Sequence, residues 1–451
     1  ATQPEILDYI NTVVDKFALR DGIQFDTRVS GAHFNDASKR WTVSTEAGDQ
    51  FDAKYVVMAT GCLSSANIPQ FEGLDDFKGD WYHTGQWPHE PVDFSGKRVG
   101  VVGTGSSGIQ SIPLIAEQAQ HLTIFQRTPN YSIPAHNQPL DPDKVAAIKA
   151  RYVEFRDENR LTAFHANFGY NEENALDVTP EEREREYEAR WERGGLPFMA
   201  AFADLLFEEE ANETAADFLR GKIRETVADP AVAELLSPHT VVGCKRICVD
   251  TNYYATFNRD NVTLVDAKAH PVQRLTANGL QTDAQSYDFD AIVFATGFDA
   301  MTGALTKIDI RGEAGLPLNS AWAEGPKTYL GLSVAGFPNL FTVTGPGSPS
   351  VLTNMLPSIE HHVNWIADCI GYVNDHGLSS IGATPDAQEQ WVTHVNEVGD
   401  TSLYPNCNSW YLGANIPGKP RVFMPYLGFP PYAEKCQDVV DKGYEGFALT
   451  N

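Results

Sequence analysis

Lys97-Arg98-Val99-Gly100-Val101-Val102-Gly103-Thr104-Gly105-Ser106-Ser107-Gly108 runs from an apolar strand pattern through a glycine-rich turn into a helix pattern, Ile109 to Gln118. Glycines at this spacing let the chain turn tightly and let a pyrophosphate approach the positive N-terminus of a helix. The stretch predicts a dinucleotide-binding α/β unit in which Gly103, Thr104, Gly105, Ser106, Ser107, Gly108 and Gln110 face the coenzyme. The next strand pattern, Leu122 to Phe125, ends in Gln126-Arg127-Thr128. An NAD site usually carries Asp or Glu at that strand end for the ribose 2′-hydroxyl, whereas arginine suits a 2′-phosphate. Arg127 therefore points to NADP(H).

Two segments nearly repeat each other. Phe51-Asp52-Ala53 leads through an apolar run to Ala59-Thr60-Gly61, and Phe289-Asp290-Ala291 leads through another to Ala295-Thr296-Gly297. Each run reads as a buried strand that glycine ends where the backbone must turn. Strands of this kind carry the chain between paired dinucleotide domains in flavoproteins, so boundaries are expected near 62–66 and 298–302. The middle unit, 64–298, holds the glycine turn and a helical insertion at about 141–239. There Thr179-Pro180-Glu181-Glu182 reads as a capped helix start, with Glu181 and Arg185, and Glu186 and Arg190, as i,i+4 pairs. A second helix near 211–228 puts Ala215, Phe218, Leu219, Ile223 and Val227 on one face. Further on, Leu340 to Thr344 reads as a strand and Gly345-Pro346-Gly347-Ser348 as a tight loop with free N–H groups. A helix is expected from Val351 to Ile370, and 405–428 reads as ordered loop.

A chain of 451 residues has room for two or three cores. Its net charge of −26 argues against nucleic acid or an anionic membrane surface as partner. No apolar run approaches the roughly 20 residues a membrane helix needs. The six cysteines form no C-x-x-C pair and no metal-ligand set, so no metal is expected and a reducing cytoplasm is the preferred setting.

In front of the glycine turn stands Phe77-Lys78-Gly79-Asp80-Trp81-Tyr82-His83-Thr84-Gly85-Gln86-Trp87-Pro88. Its bland reading is an aromatic linker packed between domains. Its pattern of Phe77, Gly79, His83, Trp87 and Pro88 resembles the fingerprint of type I Baeyer–Villiger monooxygenases. Phe125 to Pro129, Gly243-Cys244-Lys245-Arg246 and Ser409 to Gly418 extend the resemblance over essentially the whole chain. It implies two Rossmann-like domains, one for FAD (1–63 and 299–451) and one for NADP (64–298), in a monomer. It also implies a reaction in which NADPH reduces FAD, and O2 is held as a C4a-peroxyflavin that converts a ketone to an ester or lactone. A fixed cation in a dry site is what such an anion needs, and arginine keeps its charge when desolvated. By resemblance Arg246 takes that catalytic role, while Lys245 joins Arg127 and Thr128 at the 2′-phosphate. Trp410 contacts the nicotinamide nucleotide, Gly61 and Met355 lie at the flavin, and Ser350, Val351 and Leu352 form a substrate-facing loop. His83 reads as a packing residue that couples domain orientation to coenzyme binding.

Two departures from the family pattern stand out. The glycine-rich segment near the C-terminus is shortened to Tyr426-Leu427-Gly428-Phe429-Pro430-Pro431. A second glycine-rich turn for the FAD pyrophosphate, with the family's acidic partner of the catalytic arginine, is not among these residues, so an FAD domain lacking its first βαβ unit is expected. The competing readings are an N- or S-oxidising flavin monooxygenase and a non-catalytic NADP-binding protein.

Overall fold

The computed structural model describes residues 2–451. Its central element is a five-stranded parallel sheet in the order Val262–Asp266, His121–Gln126, Arg98–Val102, Ala291–Phe294, Asp80–His83. A parallel sheet is covered on both faces, which is why its strands read as unbroken apolar runs. On one face the helix Ser106–Gln118 buries Ile109, Ile112, Ile115 and Ala116 against Val99, Val101, Leu122 and Ile124. Ile109 and Ile112 are fully buried, and each contributes about 2 kcal/mol of apolar burial. On the other face Phe77, Phe125, Ile292 and Phe294 pack with Leu275 and Leu280 of the small antiparallel meander 272–288.

The two repeated segments differ in the structure. Ala291–Phe294 is buried throughout as expected. The first segment instead splits into Gln50–Ala53, at the edge of a four-stranded sheet, and Val56–Met58, which pairs only with Leu340–Thr342. With one partner strand among the described residues, Val57 stays 43% exposed, so the expectation of a buried strand fails there. Both terminal glycines do turn the chain, Gly61 at φ +73 and Gly297 at φ +78. Beyond them the two crossings run side by side: Ala66 bridges Phe298, Asn67 N donates to Gly297 O at 2.9 Å, and Asp299 N donates to Ser65 O at 2.8 Å.

Residues 131–247 carry a core of their own around Tyr187, Phe198, Phe202 and Phe218, with Tyr187 and Phe198 stacked at 5.5 Å. Thr179 caps the helix Pro180–Arg193 by accepting from Glu182 N, and Glu186 pairs with Arg190 at 2.6 Å. The other expected pair, Glu181 with Arg185, is not among the ion pairs of the described residues. The helix Glu209–Thr226 buries Ala215, Phe218, Leu219 and Ile223.

Two expectations about the C-terminal third need correction. The long helix spans Met355–Asp375, because Ser350–Leu352 first tightens into a 3-10 turn and Asn354 caps the helix that follows. The amides of the Gly345–Ser348 loop are not all free either, since Gly347 N donates to Met424 O at 2.6 Å and Ser348 N to Gly345 O at 3.1 Å. Sequence gave no pairing among the cysteines, yet Cys244 and Cys407 are disulfide-bonded; Cys62, Cys248, Cys369 and Cys436 are free and buried. No helix of the described residues is long and apolar enough to cross a membrane.

Histidines buried as neutral rings tie stability to pH. His362 accepts from Thr344 N at Nδ1 (2.9 Å), leaving Nε2–H for Tyr432 Oη (2.8 Å). Both ring nitrogens of His165 lack a partner, and the ring lies on Phe429 with centroids 4.0 Å apart. Burial, helped by the charges of Arg160 and His361, lowers its pKa to about 4 from 6.5. The folded value lies below the unfolded one, so this stability is complete above about pH 6.5 and is lost as pH falls toward 4. At pH 5 the loss from His165 is about 2 kcal/mol. His165→Phe keeps the stacking and removes the titration. Thermal melts from pH 7 to 5 should fall less steeply for the variant, and equal slopes would remove His165 from the acid response.

Candidate active site

The glycine turn assigns each glycine a separate task. Gly103 sits at φ +108, and a Cβ there would come within 2.5 Å of Ala295 O. A Cβ on Gly108 would collide with Gly103 O, so that glycine lets the helix lie close to the strand. Gly105 has extended backbone and nothing within 4 Å of an added Cβ, which leaves open space at the mouth of the helix Ser106–Gln118. The first amides of a helix lack intrahelical partners. This helix has no side-chain cap, so those N–H groups face that space. The cradle fits a dinucleotide pyrophosphate. Thr104 is buried, its Oγ1 donating to Thr128 O (3.3 Å) while Asn130 Nδ2 donates to Thr104 O (2.8 Å). Gln110 Nε2 donates to Ser106 Oγ at 3.0 Å on the first turn.

Three cations gather beside this turn. Burial lowers the pKa of Lys245, and the neighbouring charge of Arg127 lowers it further. Lys245 and Arg246 line a small cavity with Asn130, Tyr131, Thr240 and Ile247. Among the ion pairs of the described residues none involves Arg127, Lys245 or Arg246. Arg246 Nη2 donates to Val351 O, in the turn where Ser350 is left-handed at φ +43 and its Oγ donates to Thr344 O at 3.2 Å. Tyr411 lies against Arg246; burial raises its pKa to about 12, with the guanidinium opposing. Burial likewise raises the pKa of Cys62, opposed by a hydrogen bond with Ser350 and the charge of Arg246.

The structure thus brings Arg246 to Ser350, Val351 and Leu352, in one apolar cluster with Cys62, Met301, Met355, Tyr411 and Trp410. Trp410 packs on Tyr411 with ring centroids 4.2 Å apart. At Gly61 the chain turns at φ +73, with the apolar side chains of Val57 and Leu63 on either side of it in sequence left 43% and 41% exposed, which fits the position of a planar aromatic group such as the flavin's. Sequence reading missed Tyr411, Cys62 and the clamp in which Lys419 Nζ donates to Asp299 Oδ1 and Ala300 O, each at 2.7 Å. All three flank motifs already recognised, which was their only signal.

The fingerprint residues sit apart from Arg246. Phe77 is buried in the sheet core, and a Cβ on Gly79 would meet its ring at 2.5 Å. Trp87 leans on Tyr82 (5.5 Å) and, with Val92, faces Ser107 and Gln110 across a groove of about 480 Å³. His83 is buried: Nδ1 accepts from Gly85 N (3.0 Å), so Nε2–H donates to Thr296 Oγ1 (3.1 Å), which donates to Asn67 O (2.6 Å). The fingerprint is therefore tied to both crossings, at Thr296 and at Asn67.

A family model described as flavin-binding monooxygenase-like matches residues 2–155. A Baeyer-Villiger monooxygenase of Pseudooceanicola batsensis is 44% identical over 98% of this chain and 81% of its own length. Among solved structures, oxidized steroid monooxygenase bound to NADP superposes with a TM-score of 0.94 at 51% identity, covering 100% of this chain and 85% of that one. Cyclohexanone monooxygenase does so at 0.96 in a closed crystal structure (42% identity, 100% and 85% covered) and 0.91 in an open one (40%, 100% and 84%). The chain belongs to the Baeyer–Villiger monooxygenases, flavoenzymes that use FAD and NADP(H).

The three glycines allow a direct test of the cradle. Gly103→Ala meets backbone at a left-handed residue and should cost about 2 kcal/mol or more of stability. Gly105→Ala meets nothing, so its melting temperature should stay put while NADPH affinity drops about 10-fold, as the new methyl enters the phosphate space. Unchanged NADPH affinity in a well-folded Gly105→Ala protein would show that the pyrophosphate lies elsewhere.

Proposed function

We propose that this chain oxidises a ketone with O2 to an ester or lactone at a site centred on Arg246, with NADPH as reductant. The observation that carries the reading is the Arg246 guanidinium, held by the Val351 carbonyl beside Cys62, Tyr404 and Tyr411, with no carboxylate partner among the described residues. A cation so placed stabilises an oxyanion that develops beside it, because a guanidinium already oriented by the Val351 carbonyl needs little reorganisation. FAD would lie along Gly61 and Met355 and supplies, when bound, the redox chemistry that activates O2. The apolar side chains of Val351 and Leu352, both buried, exclude water from that pocket.

In this reading the NADP domain is 64–298, and 1–63 with 299–451 forms the FAD domain; the paired crossings at Ala66 and Phe298 support that division. Gly103 to Gly108 and Gln110 hold the pyrophosphate, Arg127, Thr128 and Lys245 the 2′-phosphate, and Trp410 the nicotinamide half. Burial eases the loss of the Lys245 proton, and a bound phosphate dianion restores its full charge. His83 moves no proton: burial holds its pKa low, and it fixes the Thr296–Asn67 crossing instead. One chain carries every residue of this reading, which supports a monomer. The buried free thiols support a cytoplasmic setting.

Two variant sets test the assignment. Arg246→Ala should abolish ester or lactone formation while anaerobic bleaching of the flavin by NADPH survives at a reduced rate; normal product yield would remove Arg246 from the chemistry. Lys245→Ala and Arg127→Ala should each raise the KM for NADPH about 10-fold or more, since a charge-assisted contact is worth about 1.5–3 kcal/mol. NADH kinetics should barely change, and equal losses with both coenzymes would place these residues away from the 2′-phosphate.

A further inference from the structure

Cys244 immediately precedes Lys245 and Arg246, and Cys407 lies three residues before Trp410. Their disulfide joins positions 163 apart in sequence, with Cα atoms 5.6 Å apart, within the span a disulfide bridges without moving the backbone. On one side the bond is anchored by Gly243, at φ +89, whose backbone is so close to Leu206 and Met199 that a Cβ would meet them at 2.7 and 3.0 Å. On the other it is anchored in the turn Tyr404–Asn406, beside Leu403, whose N donates to Leu206 O at 2.9 Å. The bond therefore clips the loop that carries two of the site's cations to the segment that carries Trp410. The other contacts around them are noncovalent: the Leu403 amide reaches Leu206, which flanks Gly243, and Tyr404 and Tyr411 lie against Arg246.

We propose that Cys244 and Cys407 form a redox clasp on the coenzyme site. Closed, it holds the Lys245–Arg246 loop against the Trp410 segment and slows release of NADP+; open, it lets the two part. This rests on the reading that Lys245 and Trp410 hold the coenzyme. A small disulfide such as oxidised glutathione closes the clasp. One cysteine thiolate attacks a sulfur of that disulfide and expels a thiolate. The second cysteine thiolate then attacks the protein sulfur of the mixed disulfide and expels the other, and the two cysteine protons go to the departing thiolates. The cysteines are thereby oxidised by two electrons and the small disulfide reduced to two thiols. A dithiol reverses the exchange. Cys244 is 5% and Cys407 8% exposed, so reagents reach the sulfurs through local opening of the loops around them.

The test uses the FAD-loaded full-length protein, equilibrated either with oxidised glutathione or with dithiothreitol. Peptide mapping without reduction reads the 244–407 cross-link, and stopped-flow displacement reads NADP+ release. Release from the reduced protein should be about fivefold faster or more, the lower end of typical coupling between sites. Cys407→Ser and Cys244→Ala should release NADP+ at the fast rate in both buffers. Equal release from oxidised and reduced wild-type protein, or no cross-linked peptide after oxidation, overturns the clasp, and neither readout depends on the variants folding. Lys245→Ala separates the two levels of the argument. If it leaves NADP+ affinity unchanged, the coenzyme reading fails; if affinity falls while release stays blind to redox state, the clasp alone fails.

Discussion

The site depends on positive charge that has no carboxylate partner. A chain of net charge −26 has carboxylates in excess, yet Arg127, Lys245 and Arg246 stand together without one among the described residues. Arg127 and Arg246 are exposed, so the cost of partnerless charge falls on half-buried Lys245, through burial and through repulsion from its neighbour. The lowered pKa of Lys245 records both costs, burial first and Arg127 second. Structure alone gives no return for that expense; an anionic ligand does. In the proposed reading those anions are a phosphate beside the strand end at Arg127 and an oxyanion beside Arg246.

In the proposed reading two cations serve one ligand and a third serves the chemistry, which requires the sheet and the C-terminal segment to keep a fixed relation. The paired crossings near Ala66 and Phe298 set it, through backbone hydrogen bonds between Asn67, Gly297, Ser65 and Asp299. His83 fastens the strand Asp80–His83 to the same crossing. Because Nδ1 is occupied by the Gly85 amide, the proton must sit on Nε2 and point at Thr296. A protonated ring would lose its acceptor toward Gly85, so burial and this hydrogen bond both favour the neutral form. The fingerprint thus acts at a distance from Arg246 through the backbone it orients, and Lys419 clamps the far end of the crossing through Asp299 and Ala300.

What sequence made legible follows from how local each signal is. The glycine turn, its flanking strand and helix, the Thr179 cap and the apolar face of the second insertion helix all obey rules that act within a few residues, and all appear in the structure. Arg127, Lys245 and Arg246 were found by motif, and only tertiary structure could bring Arg127 and Lys245 to the same place. The failures are nonlocal. Val57 reads as core because its neighbours are apolar, but burial requires a covering layer, and the described residues give its strand a single partner. The helix at Met355 starts later than its apolar pattern suggests, because Ser350 adopts a left-handed backbone that no propensity favours. The Cys244–Cys407 bond spans 163 residues, beyond the reach of any spacing rule.

That left-handed residue links the backbone to the chemistry. A non-glycine residue at positive φ costs about 1–3 kcal/mol and persists only where its surroundings hold it. Ser350 is held by its own hydroxyl, which donates to Thr344 O, and by complete burial. The turn it makes directs the Val351 carbonyl onto Arg246, which anchors the guanidinium through one N–H. Arginine carries five N–H donors in a rigid plane, so one fixed contact orients the rest. Lysine, a flexible stem ending in a point charge, could donate to the same carbonyl but would gain no orientation from it. The charge that the site needs is thus aimed by a strained serine two steps away, and the aim is lost if either the serine hydroxyl or the planarity of the cation is removed.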